Sequence, residues 1–305
     1  MSKTIDSVID PVGKRAIGVE YGMDDATYRQ CGRLNTSSIT AGMLPGNEID
    51  AVSIRNAFEG NAEISRAKSS QDRMDRGTLA HLALMQPELI SQRVAVWSGG
   101  RRAGKIWDEF SDSNSDKIII PQDEFGTVMA AVSQIKEVPR VRELFSGADV
   151  EVSLFSEEQA GADVVYCCGR ADAIKRDGDI TYILDFKTTD AGIDSRSVNR
   201  TICDFKYREK MACYRRWYCQ VTGEDSDSVQ CILVFGRITY PYGVRIMKIT
   251  TLALDWGEWK LKEAINAVAP CIKSRSWPIF SISDVSNVNQ WELPAEERME
   301  DEIEY

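Results

Sequence analysis

Histidine is almost absent from this sequence: His81 is the only one in 305 residues. No GxSxG pentapeptide occurs either, so the chain lacks the signature of a hydrolase built on a nucleophile elbow. It has no GxxxxGK[ST] loop, and ATP-driven movement is not expected. No apolar run approaches the ~20 residues that a membrane-crossing helix needs, so no membrane partner is expected. The opening MSKTIDSVIDPVGKR lacks an apolar stretch, which argues against a secretory signal and for the cytoplasm. Neither an internal repeat nor a long low-complexity tract is found. The eight cysteines (Cys31, Cys167, Cys168, Cys203, Cys213, Cys219, Cys231 and Cys271) contain no CxxC pair. Reduced, mostly buried thiols are the expectation, rather than disulfides.

What is present is enough apolar residue, 43%, to bury a large core. The reading is a single domain over 1–291, with its core at about 72–270 and additions at 1–71. An acidic tail, 292–305, follows. The net charge of −10 speaks against a polyanionic partner, but the charge is uneven. The tail holds seven acidic residues and one arginine, whereas Ser195 to Gln220 holds seven basic residues against Asp204 and Glu209. A local basic stretch matters more for phosphate contact than the total does. A solvated helix face would look the same.

Along the chain, 1–60 is polar and turn-rich, with LPGNE at 44–48 a loop. Residues 72–86 have helical spacing and stop before Pro87. Residues 97–116 begin as a basic, glycine-containing loop and pass into a short helix, and 123–145 reads as one amphipathic helix. Strand-like segments follow at 150–157, 164–176 and 180–189, the last two joined by a turn at Asp177–Asp179. A helix over 204–221, strands at 228–238 and 243–250, and a helix over 255–270 complete the order. This is an α/β layout, a mixed central sheet flanked by helices. Trp217 and Tyr218 read as core residues of the 204–221 helix, although stacking of bases on the aromatics interleaved with its basic residues is the alternative.

The segment GRADAI (169–174) lies shortly before ILDFKTT (183–189), which puts Asp172 and Asp185 on adjacent strands. Strand alternation points Asp185 and Lys187 to one face. Their neighbours Ile183, Leu184 and Phe186 are apolar, and charge in such surroundings is costly unless it is paired or binds a metal. A hard divalent cation fits two carboxylates. It would activate water and stabilise charge on a phosphodiester, with Lys187 orienting the water or neutralising charge. An ordinary Asp–Lys ion pair on an exposed strand is the plain alternative.

These residues resemble the PD-(D/E)xK nuclease fold, and more closely the exonuclease VIII (RecE-like) family of phage and bacterial exodeoxyribonucleases. RGTLAHLALMQPE (76–88) resembles that family's GTAxHxxLLxPE helix, and EVSLF (151–155) its first core strand. NTSSITAG (35–42) and RRAGKIWDEF (101–110) resemble two further segments in the same order. The resemblance implies a restriction-endonuclease-like core with N-terminal helical additions. It implies a metal shell of His81, Asp172, Asp185 and the Phe186 carbonyl, although a lone histidine on such a helix otherwise reads as a core or surface residue. Glu151 is implied as an active-site carboxylate, where an ordinary strand-end glutamate would look alike. The family's QAAxY pattern appears here as KMACY (210–214), with Lys210 in the glutamine position and Tyr214 kept. Lys210 and Tyr214 are candidate DNA contacts, joined by Ser37, Ser38, Arg76, Arg101 and Arg102, five residues that also read as plain surface.

The function so implied is an Mg²⁺-dependent exonuclease, with Mn²⁺ as a substitute, that resects linear duplex DNA 5′→3′ and leaves 3′ overhangs for strand annealing. The cysteine spacing does not suit an iron–sulfur cluster. The implied partners are DNA ends, further copies of the chain in a ring of three or four, and a single-strand annealing protein. A phage or prophage origin in a bacterial cell is implied as well. The alternatives are a structure-specific or repair endonuclease on the same core, or a DNA-binding module with a decayed site.

Overall fold

A computed structural model of the chain describes residues 16–60, 68–190 and 192–278. The acidic tail lies outside the described residues. The elements run in the order β1 (Gly18–Glu20), α1 (Asp25–Arg29), β2 (Leu34–Asn35), α2 (Thr36–Ala41), α3 (Ala51–Glu59), α4 (Lys68–Met85) and α5 (Ile90–Arg93). Then come β3 (Val94–Trp97), α6 (Lys105–Ser113), β4 (Ile118–Pro121), α7 (Gln122–Glu137) and α8 (Pro139–Phe145). The sheet proper is built from β5 (Asp149–Ala160), β6 (Asp163–Asp177) and β7 (Ile180–Thr189), followed by α9 (Ser195–Asp204) and α10 (Tyr207–Thr222). Strands β8 (Val229–Arg237) and β9 (Gly243–Lys248) and helix α11 (Thr251–Ser274) close the fold.

The mixed sheet has the order β1-β5-β6-β7-β8-β9, with β2 paired alongside β6. Strands β5, β6 and β7 form an antiparallel meander, and β8 is parallel to β7 because α9 and α10 carry the chain back across one face. Layers of helix cover both faces. On one, Ile39, Ile54, Val198, Met211, Trp217 and Leu261 pack on Val152, Cys167 and Ile183. On the other, Leu79, Val128, Ile135 and Leu144 pack on Leu184, Phe186 and Val234. Alternation along β7 therefore sends Ile183 to one layer and Leu184 and Phe186 to the other. Trp217 and Tyr218 are core residues.

Several boundaries differ from the sequence reading, each for a local reason. The stretch at 16–60 holds three helices and two short strands, and Leu34, Ile39, Met43, Ile54 and Phe58 reach the core. Its helices are only five to nine residues long, and their N-caps Asp24, Asn35 and Asp50 are the residue types that also mark turns. Residues 123–145 form two helices, because Pro139 fixes its own φ and keeps Val138 extended. The 204–221 helix starts at Tyr207, and a separate helix, α9, precedes it on an Asp194 N-cap. Between the two stands Lys206 in the left-handed region, φ 54. Helix α11 extends to both sides of 255–270, starting from a Thr250 cap and continuing through Pro270. The small parallel pair β3–β4 had no sequence signal recognised.

Candidate active site

Strands β5 and β6 lose their regular pairing at one point. Val150 faces Ala173 and Val152 faces Ala171, while Glu151 and Asp172 between them share no ladder partner. Glu151 has φ 53, a region that costs a side-chain-bearing residue about 1–2 kcal/mol. The inward-facing positions change parity here: Ala171 belongs to one core layer and Ala173 to the other. Strand β7 leaves β6 at the same level. Their register runs from Asp177 opposite Ile180 up to Ala173 opposite Leu184 and stops. Beyond that point the Phe186 N–H donates to Asp172 Oδ2 at 2.7 Å, so a carboxylate stands where a backbone carbonyl would have been. The sheet thus forks at the level of Asp172 and Asp185.

Four side chains meet in this fork. Asp185 is 2% exposed, and Lys187 Nζ donates to its Oδ1 at 2.8 Å. Helix α4 brings His81, whose Nδ1 lies 3.6 Å from Asp172 Oδ2 and whose ring lies 5.2 Å from that of Phe186. Gly77 allows this approach, since a Cβ there would sit 3.3 Å from Thr188 Oγ1 on β7. Burial alone would push the Asp172 carboxyl up, but His81, Lys187 and the Phe186 N–H hold it below the usual carboxylate range. Burial raises Asp185, and the neighbouring Asp172 adds to the rise against Lys187. Burial would lower Lys187, yet Asp185 and Asp172 overcome it and hold the ammonium charged. Burial and the charge of Lys187 lower Lys210, which α10 carries to within electrostatic reach of both aspartates.

Around this cluster the chain forms two clefts. One, about 650 Å³, is lined by His81, Thr78, Glu151, Arg93 and Arg170. Burial and Asp172 raise the Glu151 carboxyl to about 7, against the pull of Arg170. The larger, about 800 Å³, lies on the side of Tyr214, Asn35, Ser37 and Cys168, and Arg170 lines it too. The smaller cleft is the one lined by His81 and Glu151, so we take it as the approach to the site.

The donor set suits a hard divalent cation: two carboxylates and one imidazole, with the Phe186 carbonyl in the same strand. Asp185 Oδ2 is buried and accepts no hydrogen bond of good geometry, although Lys187 Nζ lies 2.7 Å away. An acceptor left in that state has lone-pair capacity for a metal. Among the described residues, no three His, Cys, Asp or Glu side chains already stand in a coordinating arrangement. Two of the donors are instead turned to charged partners, Asp185 to Lys187 and His81 to Asp172. The residue types fit the group, although their side chains are paired with one another rather than set around a common centre.

The remaining candidates divide. Ser37 is exposed in the larger cleft, whereas Ser38 is 2% exposed and its hydroxyl donates to Asn35, the cap of α2. Ser38 also borders that cleft, with its hydroxyl engaged by the α2 cap. Arg102 is likewise bound within the fold, to Asp72 at 2.8 Å and to the Ile119 carbonyl, with its guanidinium over Trp107. Arg101 is exposed in the loop before α6. Arg76 pairs with Asp190 at 3.2 Å near the end of β7. Tyr214 is buried against Gly169, where a Cβ would come within 2.8 Å of its ring. The basic stretch is largely matched from within: Arg200 by Asp204, Arg208 by Glu209, Arg215 by Glu258 and Arg216 by Glu158. Sequence reasoning missed Arg170, which bonds Ser153 and the Met23 carbonyl and pairs with Glu151 at 3.7 Å. Its signal was available, two residues before Asp172 on one strand.

Residues 55–283 match the family described as a PDDEXK-like domain of unknown function (DUF3799). Among solved structures, the chain is similar to a protein of Eubacterium rectale that carries the name "Putative exonuclease", with a TM-score of 0.57 at 12% identity over 84% of this chain and 88% of that one. At that identity the likeness is one of fold. The structure of SSO0001 aligns at a TM-score of 0.27 and 15% identity, over 60% of this chain and 84% of that one, and bears no weight. No curated protein matches the sequence.

Proposed function

The chain belongs to the PDDEXK-like domain family, matched over residues 55–283, and from that premise we propose that it is a metal-dependent DNA nuclease centred on Asp172, Asp185 and Lys187. The convergence of His81, Asp172, Asp185 and Lys187 in the fork between β6 and β7 carries the reading. His81, Asp172, Asp185 and the Phe186 carbonyl would hold a divalent cation, Mg²⁺ or Mn²⁺. When bound, the cation supplies Lewis-acid stabilisation and a more acidic water.

The chain's own residues account for the rest. Lys187, held as a cation, neutralises charge that builds on the scissile phosphate and orients the attacking water. Glu151, with its carboxyl near 7, can exchange a proton with water close to neutral pH. Lys210 acts as a point charge toward a phosphate, where an amide would orient by a fixed dipole. Ser37 and Arg101 are exposed and available to the DNA backbone.

The ordered segments shared with the exonuclease VIII family support a finer reading, in which the enzyme resects linear duplex ends 5′→3′. The same resemblance supports a homo-oligomeric ring and a strand-annealing partner, and length and composition support a single nuclease domain over 1–291. The test uses linear duplex labelled at the 5′ or at the 3′ end, with and without Mg²⁺, beside a covalently closed circle. Mg²⁺-dependent release of 5′ label as mononucleotide, with the circle untouched, is expected. Cutting of the circle would make the enzyme an endonuclease, and absence of any Mg²⁺-dependent cleavage would overturn the nuclease reading.

A further inference from the structure

Phe205 is 62% exposed, at the junction of α9 and α10. Its ring stacks on Tyr207, with centroids 5.7 Å apart and planes 16° from parallel. Tyr207 in turn lies against Lys187, whose Nζ is 5.2 Å from the ring centroid. A ledge of two rings therefore runs from solvent to the lysine of the candidate site. Lys206 between them creates the ledge by entering the left-handed region, φ 54. That turn ends α9 at Asp204, restarts the helix at Tyr207, and puts residues 205 and 207 on one side of the junction. A conformation of this cost persists only where the surrounding structure fixes it.

The charge around the ledge is favourable to a polyanion. Its two acidic neighbours in sequence are each matched by an arginine, Asp204 by Arg200 at 3.6 Å and Glu209 by Arg208 at 2.6 Å, and the two aspartates that act on Tyr207 from the site side, Asp185 and Asp172, are paired with Lys187 and His81. Lys206 and Lys210 add positive charge in the same segment. An exposed ring, a second ring stacked beneath it, flanking lysines and continuity with Lys187 together suit an unpaired nucleobase on its phosphate backbone. Every base offers a π-face, and such platforms are sequence-tolerant.

We propose that Phe205 and Tyr207 form a stacking subsite for an unpaired base of the DNA strand whose phosphodiester reaches Lys187. The inference rests on the nuclease reading and adds a substrate preference: the enzyme engages ends at which at least one base is free of its partner.

The test measures binding of the full chain, in EDTA, to a single-stranded oligonucleotide carrying 2-aminopurine. The wild type should quench the fluorophore. Phe205→Ala and Phe205→Leu should lose the quenching and bind about tenfold more weakly, within the range for loss of one base–aromatic stack. Phe205→Trp should retain both. Because the side chain is exposed, none of these variants disturbs the core. Equal affinity and quenching in Phe205→Ala would overturn the subsite. If Mg²⁺-dependent cleavage of linear duplex persists in that variant at the wild-type rate, the nuclease reading stands without it. Failure of the wild type to bind or quench the oligonucleotide would overturn the subsite as well, and the duplex cleavage assay on the same preparation then decides separately whether the nuclease reading falls too.

Discussion

Lys187 is surrounded by the charge that keeps it a cation: Asp185 at 2.7 Å, Asp172 beyond it, and the Tyr207 ring on a third side. Lys187→Met keeps the length and the apolar stem but removes the charge. It should lower the cleavage rate by about 10²–10³, the loss typical of one preorganised electrostatic group, while duplex binding in EDTA changes less than about fivefold. Single-turnover kinetics beside a binding titration separate the two. Asp185→Asn should abolish Mg²⁺-dependent cleavage yet leave DNA binding in place. Glu151 gives a prediction of a different kind. Its carboxyl stands at about 7 in the fold against an ordinary value of 4.5, so the folded state favours the proton. The stability it allows is fully present below about 4.5 and is lost as pH rises toward 7, and with 35% of the side chain exposed solvent screening holds the loss to roughly 1–2 kcal/mol. Urea unfolding of metal-free protein at pH 5 and pH 8 checks this. Glu151→Gln should gain on the wild type at pH 8 and show little difference at pH 5.

At the scale of elements, the fork between β6 and β7 explains what could be read from the sequence and what could not. Period-two alternation along ILDFKTT is unbroken, so the common face of Asp185 and Lys187 was legible, as was the meander with its Asp177–Asp179 turn. The parity change at Glu151 and Asp172 was not, because a kink inside two otherwise regular strands leaves no compositional mark. The break between α9 and α10 was hidden for a similar reason: Lys206 is an ordinary helix former in a left-handed conformation. That Ser38 and Arg102 are bonded within the fold was not legible, because a short polar or basic side chain reads the same whether it bonds inside the fold or faces solvent. Gly169 shows how closely α10 must approach the sheet. Gly169→Ala would drive a Cβ to 2.8 Å from the Tyr214 ring and 3.0 Å from Trp217, both buried. Overpacking of this kind costs about 1–3 kcal/mol, and it displaces the helix that carries Lys210 and Tyr207, so activity should fall with stability. Gly126→Ala is the counterpart on α7, where nothing lies within 4 Å of the added carbon. It should stabilise by about 0.5–1 kcal/mol, from helix propensity alone, without change in activity. Thermal or urea melts of the two variants should move in opposite directions.

At the scale of the whole molecule, a net charge of −10 must be reconciled with a polyanionic substrate. Most of the arginines of the 195–220 stretch are neutralised within the fold, so the basic segment does not offset that charge as freely as its composition promised. The imbalance resides largely in residues 292–305, where seven acidic side chains and one arginine account for −6 of the −10. Coulombic repulsion between this segment and DNA is long-ranged only when counterions are few: the Debye length is about 30 Å at 0.01 M salt and about 8 Å at 0.15 M. Deleting 292–305 should therefore tighten DNA binding severalfold at ~0.02 M salt and have little effect above ~0.15 M, with single-turnover cleavage undiminished at either. Binding titrations over a salt series, on full-length and shortened chains, read this directly. A large loss of cleavage on deletion would mean instead that the acidic segment takes part in the catalytic assembly, and a salt-independent gain would mean that it competes with DNA for the same surface.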